Sequence, residues 1–242
     1  TLLQLDDTLG VSELGRLYIH AAETNYFAVI VQHEACVHAA EKGLDLAQVS
    51  GIHVWDIFLL GKAAMSSQNV GDYVKAARYL DLLSSYEDEP RPWLQGFVQI
   101  LKARQALICG DMARAVSCEE RVSSLNSEAA IPITLCCDLI FSAQLKHRLG
   151  DDITARALLD EAFSLAEKIN SEVAFISIEF LEAQIAFDQG DDDKGLAYLR
   201  DSITRQKEIG YFLITCDVPS ETASVFAKAL QAGIEVDFVK EI

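Results

Sequence analysis

The stretch Ala143-Gln-Leu-Lys-His-Arg-Leu-Gly150-Asp151-Asp-Ile-Thr-Ala155 decides how this chain folds. A small residue stands seven positions before a glycine, an aspartate follows the glycine directly, and a second small residue lies five positions beyond it. The same skeleton recurs as Ala64, Gly71-Asp72 and Ala76, then as Ala103, Gly110-Asp111 and Ala115, then as Ala183, Gly190-Asp191 and Gly195. The four turn glycines are 39, 40 and 40 residues apart. A fixed period in this range is the signature of a solenoid of helical hairpins. Glycine suits the left-handed position just past a helix end, and aspartate then caps the next helix. The two small residues, twelve apart, fall where the paired helices cross and let their backbones approach closely.

Working outward, residues 52–209 read as four hairpins: Ile52–Gln68 with Asp72–Ser85, Trp93–Cys109 with Asp111–Leu125, Ile133–Leu149 with Asp151–Ile169, and Ser171–Gln189 with Asp191–Ile209. Glu87-Asp-Glu-Pro-Arg-Pro92 breaks the series after the first, and Asn126–Pro132 connects the second to the third. Pro132 suits the first turn of the helix that follows. Residues 1–50 read as a degenerate hairpin, Leu9–Ala22 and Tyr26–Val49, broken near Glu23-Thr24-Asn25. After a connector from Gly210 to Pro219, residues 218–242 read as capping helices, with Phe226, Leu230, Ile234 and Phe238 as their apolar face. The expected fold is all-α: a single right-handed α-solenoid over residues 1–242.

Composition narrows the function classes. Half of the 242 residues are apolar, yet the longest apolar stretch, Ala129–Phe141, is interrupted by Pro132 and Asp138, so no membrane span is expected. A net charge of −17 repels phosphates, which argues against direct binding of nucleic acid or anionic membranes. The six cysteines (residues 36, 109, 118, 136, 137 and 216) follow no regular spacing and read as buried, reduced thiols, which implies a cytoplasmic protein. The chain starts at Thr1 and stops within an amphipathic pattern at Phe238-Val-Lys-Glu-Ile242, so an excised piece of a longer protein is expected.

Chemistry-bearing patterns are sparse. His33 and His38 are five apart, so they do not share the helix face that a zinc pair at i and i+4 needs. Cys136 and Cys137 are adjacent and point to different sides of a helix. Asp191-Asp-Asp193 opens a helix, where acidic residues are favourable without an ion. Gly150-Asp-Asp lacks the Lys-Ser/Thr pair of a phosphate loop. No catalytic triad, metal or cofactor is nominated, and a non-enzymatic role is expected.

The small–Gly-Asp–small skeleton over residues 52–209 is similar to the tetratricopeptide repeat, although its period is longer and the usual aromatic and proline positions are largely missing. Such long hairpins resemble the repeat region of the large MalT-like NTPase regulators, of the LuxR or SARP type. Ala229-Leu230, Gly233-Ile234-Glu235, Phe238-Val239 and Ile242 resemble the end of that region. The resemblance implies a sensor or protein-interaction module whose partners are an effector or protein in a concave groove, neighbouring domains of the parent chain, or a second copy. It also implies that groove positions fall one, four and five residues after the first small residue. These are Met65, Arg104, Gln144 and Gln184, then Gln68, Leu107, His147 and Phe187, then Asn69, Arg148 and Asp188. Arg104, His147 and Arg148 gather basic character within an acidic chain.

Overall fold

The computed structural model describes residues 10–86, 92–125, 131–210 and 218–241. Among them every regular element is a helix: α1 Glu13–Val29, α2 His33–Ser50, α3 Asp56–Asn69, α4 Tyr73–Ser84, α5 Pro92–Ile108, α6 Met112–Leu125, α7 Pro132–Arg148, α8 Asp152–Ile169, α9 Glu172–Asp188, α10 Asp192–Ile209, α11 Pro219–Gln231 and α12 Val236–Glu241. Two compact units result, Thr1–Pro90 and Arg91–Ile242. In each, helices pack against their chain neighbours. The break at 87–91, most of the connectors at 126–130 and 211–217, Cys216 and the chain ends lie outside the described residues. No described helix is long and apolar enough to cross a membrane.

The repeated turn behaves as its residues require. Gly71, Gly110, Gly150 and Gly190 all take positive φ, at 77°, 74°, 78° and 78°. A Cβ at any of them would meet no atom within 4 Å, so backbone conformation rather than crowding demands glycine there. Each following aspartate accepts a backbone N–H three residues on: Asp72 from Lys75 at 3.0 Å, Asp111 from Arg114 at 3.0 Å, Asp151 from Thr154 at 3.1 Å and Asp191 from Lys194 at 3.2 Å. Ala64, Ala103, Ala143 and Ala183 are fully buried, and so are Ala76, Ala115 and Ala155.

Two bonds fix how the helices of a pair face each other. Cys136 Sγ donates to the Ala162 carbonyl at 3.4 Å across the Gly150 turn, and Ser202 Oγ donates to the Ile176 carbonyl at 3.0 Å across the Gly190 turn. In both, the residues lie fourteen before and twelve after the glycine, so each pair folds back on itself in the same register. The pairs α7–α8 and α9 share one core, in which Ile140, Leu159, Ala166, Ile178, Leu181 and Ile185 interlock. Glu119 on α6 is buried and accepts from Ser142 Oγ on α7 at 2.8 Å, joining the second hairpin to the third.

The first hairpin differs from the sequence expectation. Glu23-Thr24-Asn25 does not interrupt it: α1 runs through to Val29 and turns at Ile30–Gln32, with Val31 at φ 60°. Thr24 stays helical because its hydroxyl donates to the His20 carbonyl at 2.7 Å instead of capping a new helix. Val31 lies 40 residues before Gly71, with Thr24 and Cys36, both fully buried, in the small positions on either side. A complete hairpin therefore forms around a turn that has lost both Gly and Asp.

The end of the chain packs on the fourth hairpin, and three of the four expected residues, Phe226, Ile234 and Phe238, take part. Val225, Phe226, Ala229, Ile234 and Val239 join Phe180, Ala183, Leu199 and Ile203 in one core. Phe238 packs at its edge, while Leu230 is 39% exposed. The four do not lie along one helix, because α11 stops at Gln231 and the backbone turns at Gly233 and Glu235, both with positive φ. The expected burial of the cysteines also needs correcting: Cys36, Cys118 and Cys136 are buried, but Cys109 is exposed beside the Gly110 turn.

Candidate ligand groove in the second unit

The turns at Gly150 and Gly190 stop α7 and α9 at equivalent points, so the last turns of these helices lie side by side. On α7 that turn carries Lys146, His147 and Arg148, and the helix C-terminus favours the positive charge of Lys146 and Arg148. On α9 it carries Gln184, Phe187 and Asp188. Helix α11 crosses the same region and contributes Glu221, Ser224, Val225 and Lys228, which share a face at i, i+3, i+4 and i+7. Together the three helices line a cavity of about 470 Å³.

Its polar wall is an ordered network. Glu221 Oε2 accepts from Arg148 Nη2 and also from Gln184 Nε2, the latter at 2.8 Å. Arg148 Nε is buried and has no partner among the described residues. Burial pulls the Arg148 guanidinium below its ordinary value, and the charges of Glu221 and Asp188 partly oppose this. The His147 ring lies between two carboxylates, with Nδ1 2.7 Å from Asp152 and Nε2 3.0 Å from Asp188. Asp152 is held below the usual carboxylate range, first by His147 and then by Gln189, whose Nε2 donates to it at 2.7 Å.

The apolar wall is Phe187 and Val225. The Phe187 ring stacks over Gly195, where a Cβ would come within 2.4 Å of the ring, so Gly195 makes the room that the ring occupies. On its other contact, Lys228 Nζ stands 4.4 Å from the ring centroid and donates to Asp192 at 2.7 Å.

The eleven groove positions implied by the resemblance therefore fall into three sets. His147, Arg148, Gln184, Phe187 and Asp188 line the cavity. Arg104, Leu107 and Gln144 are buried, Arg104 with only 1% exposure, and Leu107 packs with Phe141, Leu145 and Val218. Met65, Gln68 and Asn69 belong to α3 in the first unit, where Gln68 is fully buried and Asn69 Nδ2 lies 3.2 Å from His33 Nε2. The α11 residues were absent from that set, because residues 218–242 read as a cap and not as a wall. Their signal was the polar face Glu221, Ser224 and Lys228 beside an apolar one. Compared with known proteins, the chain matches no family model and no curated protein.

Proposed function

We propose that this chain is a non-enzymatic binding module, the sensor or interaction segment of a larger cytoplasmic regulator. A ligand held between α7, α9 and α11 would be relayed to neighbouring domains of the parent chain. Within this reading the hairpins of each unit stack as a right-handed, tetratricopeptide-like solenoid with the period of the turn glycines. The resemblance to MalT-like regulators supplies the regulatory part. The observation that carries the binding part is the convergence of five of the implied groove residues on one cavity, with α11 completing its wall.

The volume falls within the range of small-molecule sites, roughly 300–1,000 Å³, and polar groups converge on an apolar floor as such sites require. A screen of anionic metabolites, polyols and acidic peptides by thermal shift tests this. A ligand present at about 100 times its Kd stabilises the fold by roughly 2.7 kcal/mol. The stabilisation should disappear in Arg148→Met and in Phe187→Ala. Hits that stabilise both variants as fully as the parent would place binding elsewhere.

A second reading, a scaffold or homo-oligomerisation module without an effector, draws on the exposed apolar side chains of the first unit. Leu14, Tyr18, Val49 and Val54 are all more than half exposed. Light scattering of the purified chain tests the homo-oligomer form of this reading, which requires a stable dimer or larger species without any small ligand.

A further inference from the structure

We propose that Arg148 and Gln184 form a receptor for a small carboxylic acid, and that in the resting chain this receptor is filled by the chain's own Glu221. The proposal rests on the binding-module reading above and names its ligand class and its internal competitor.

The geometry of the Glu221 contact carries the argument. An arginine fork is complementary to a carboxylate when two parallel N–H groups meet its two oxygens. Here a single oxygen, Oε2 of Glu221, takes both the Arg148 Nη2 and the Gln184 Nε2 hydrogen bonds. Arg148 Nε is left buried and, among the described residues, unpartnered. Glu221 is tethered to α11, whose Val225, Phe226 and Ala229 are anchored in the core, and from there its carboxylate meets only one arm of the fork. A free carboxylate has no such tether. It can accept from Nε and Nη2 together and keep the Gln184 bond.

The surroundings set the size and character of the acid. An extended peptide running along the strip from α7 to α5 has no track, because Gln144, Leu107 and Arg104 are buried. The open volume is about 470 Å³, bounded by Phe187, Val225, Ser224 and Lys228. That suits a molecule of amino-acid to dipeptide size with its carboxylate at Arg148 and an apolar group against Phe187. Binding displaces Glu221 from Arg148, so occupancy is coupled to the hold on the first turn of α11.

The test uses the full chain with three carboxylate probes (N-acetylphenylalaninate, succinate and acetate), together with N-acetylphenylalanine amide and inorganic phosphate, titrated calorimetrically. Glu221→Gln keeps the shape of the side chain and removes the competing charge. If Glu221 fills the site most of the time, its removal should tighten N-acetylphenylalaninate by about tenfold. Glu221→Ala should do the same, which guards against a packing effect of one variant, and circular dichroism confirms that both fold. Arg148→Lys keeps a positive charge without the fork and should lose binding in either background. The inference is overturned if Glu221→Gln binds no tighter than the parent, if the amide or phosphate binds as well as the acid, or if no carboxylate binds. In the last case, acidic-peptide hits that depend on Arg148 and Phe187 in the thermal-shift screen would leave the module reading standing and remove only the small-acid assignment. The absence of any hit in that screen that depends on Arg148 and Phe187 would remove both.

Discussion

Replacing Gly195 by alanine tests the link between the repeated skeleton and the groove. A Cβ at Gly195 would lie 2.4 Å from Cε1, 2.5 Å from Cδ1 and 2.9 Å from Cζ of Phe187. Carbon atoms in contact prefer roughly 3.5–4.0 Å, so the ring must retreat by about an ångström. It cannot do so without disturbing the Lys228 ammonium against it and the core edge on which it packs. Overpacking of this kind costs roughly 1–3 kcal/mol, while alanine in a helix gains about 0.8–1.0 kcal/mol over glycine. Gly96, inside α5, isolates the second effect, because a Cβ there meets no atom of the described residues within 4 Å. Gly96→Ala should therefore stabilise by about 1 kcal/mol, and Gly195→Ala should come out lower than Gly96→Ala by about 1–3 kcal/mol. Urea unfolding followed by circular dichroism measures both, and Gly195→Ala combined with Phe187→Ala should recover the difference. Equal stabilisation by the two single variants would refute the packing of Phe187 over Gly195.

Other outcomes follow from particular residues. Val31 holds a left-handed turn at φ 60°, a conformation costing a side chain roughly 1–2 kcal/mol. Val31→Gly should raise the melting temperature of the first unit even after the entropic cost of glycine, about 0.5–1 kcal/mol, and a lower melting temperature would count against a turn there. Cys109 is exposed, whereas Cys136 is buried with its thiol pushed up to about 11. Iodoacetamide followed by mass spectrometry should therefore label Cys109 early and Cys136 only on unfolding; equal rates would contradict the α7 register. Asp151 and Asp152 are held below the usual carboxylate range, Asp151 by its hydrogen bond from Thr154 and Asp152 by His147. A carboxyl depressed in the folded state stabilises above the ordinary carboxylate range and loses that contribution as pH falls through it. Asp151→Asn, which keeps a capping side chain, should flatten the acid limb of the melting-temperature profile between about pH 5 and 3, and an unchanged limb would show the cap to be silent.

What the sequence showed best was whatever depends on neighbours along the chain. A left-handed turn that needs Gly and a helix start that needs Asp are local requirements, so Gly71, Gly110, Gly150 and Gly190 and their aspartates could be read directly. The small residues were legible for the same reason, since a helix crossing admits few side chains. The first hairpin was hidden because Val31-Gln32 carries none of that chemistry; its turn is closed by backbone bonds from Gln32 N to Phe27 O and from Val31 N to Ala28 O, between the buried Thr24 and Cys36. The groove was half legible. Equivalent positions on α7 and α9 follow from the spacing, but Glu221 meets Arg148 across 73 residues, and no local pattern encodes a contact made by one helix laid over two others. The burial of Leu107 has the same origin: a position on the inner face of a helix stays open only where nothing later in the chain covers it, and here Val218 packs in the same core.

Hydrogen exchange of the full chain, with and without the strongest hit from the ligand screen, tests the central claim most directly. Ligand should slow exchange in the last turns of α7 and α9, around residues 144–148 and 184–188, and change it in residues 219–228 of α11, while α1–α4 exchange as before. A ligand that binds yet protects other helices, leaving these three segments unaltered, would contradict the account.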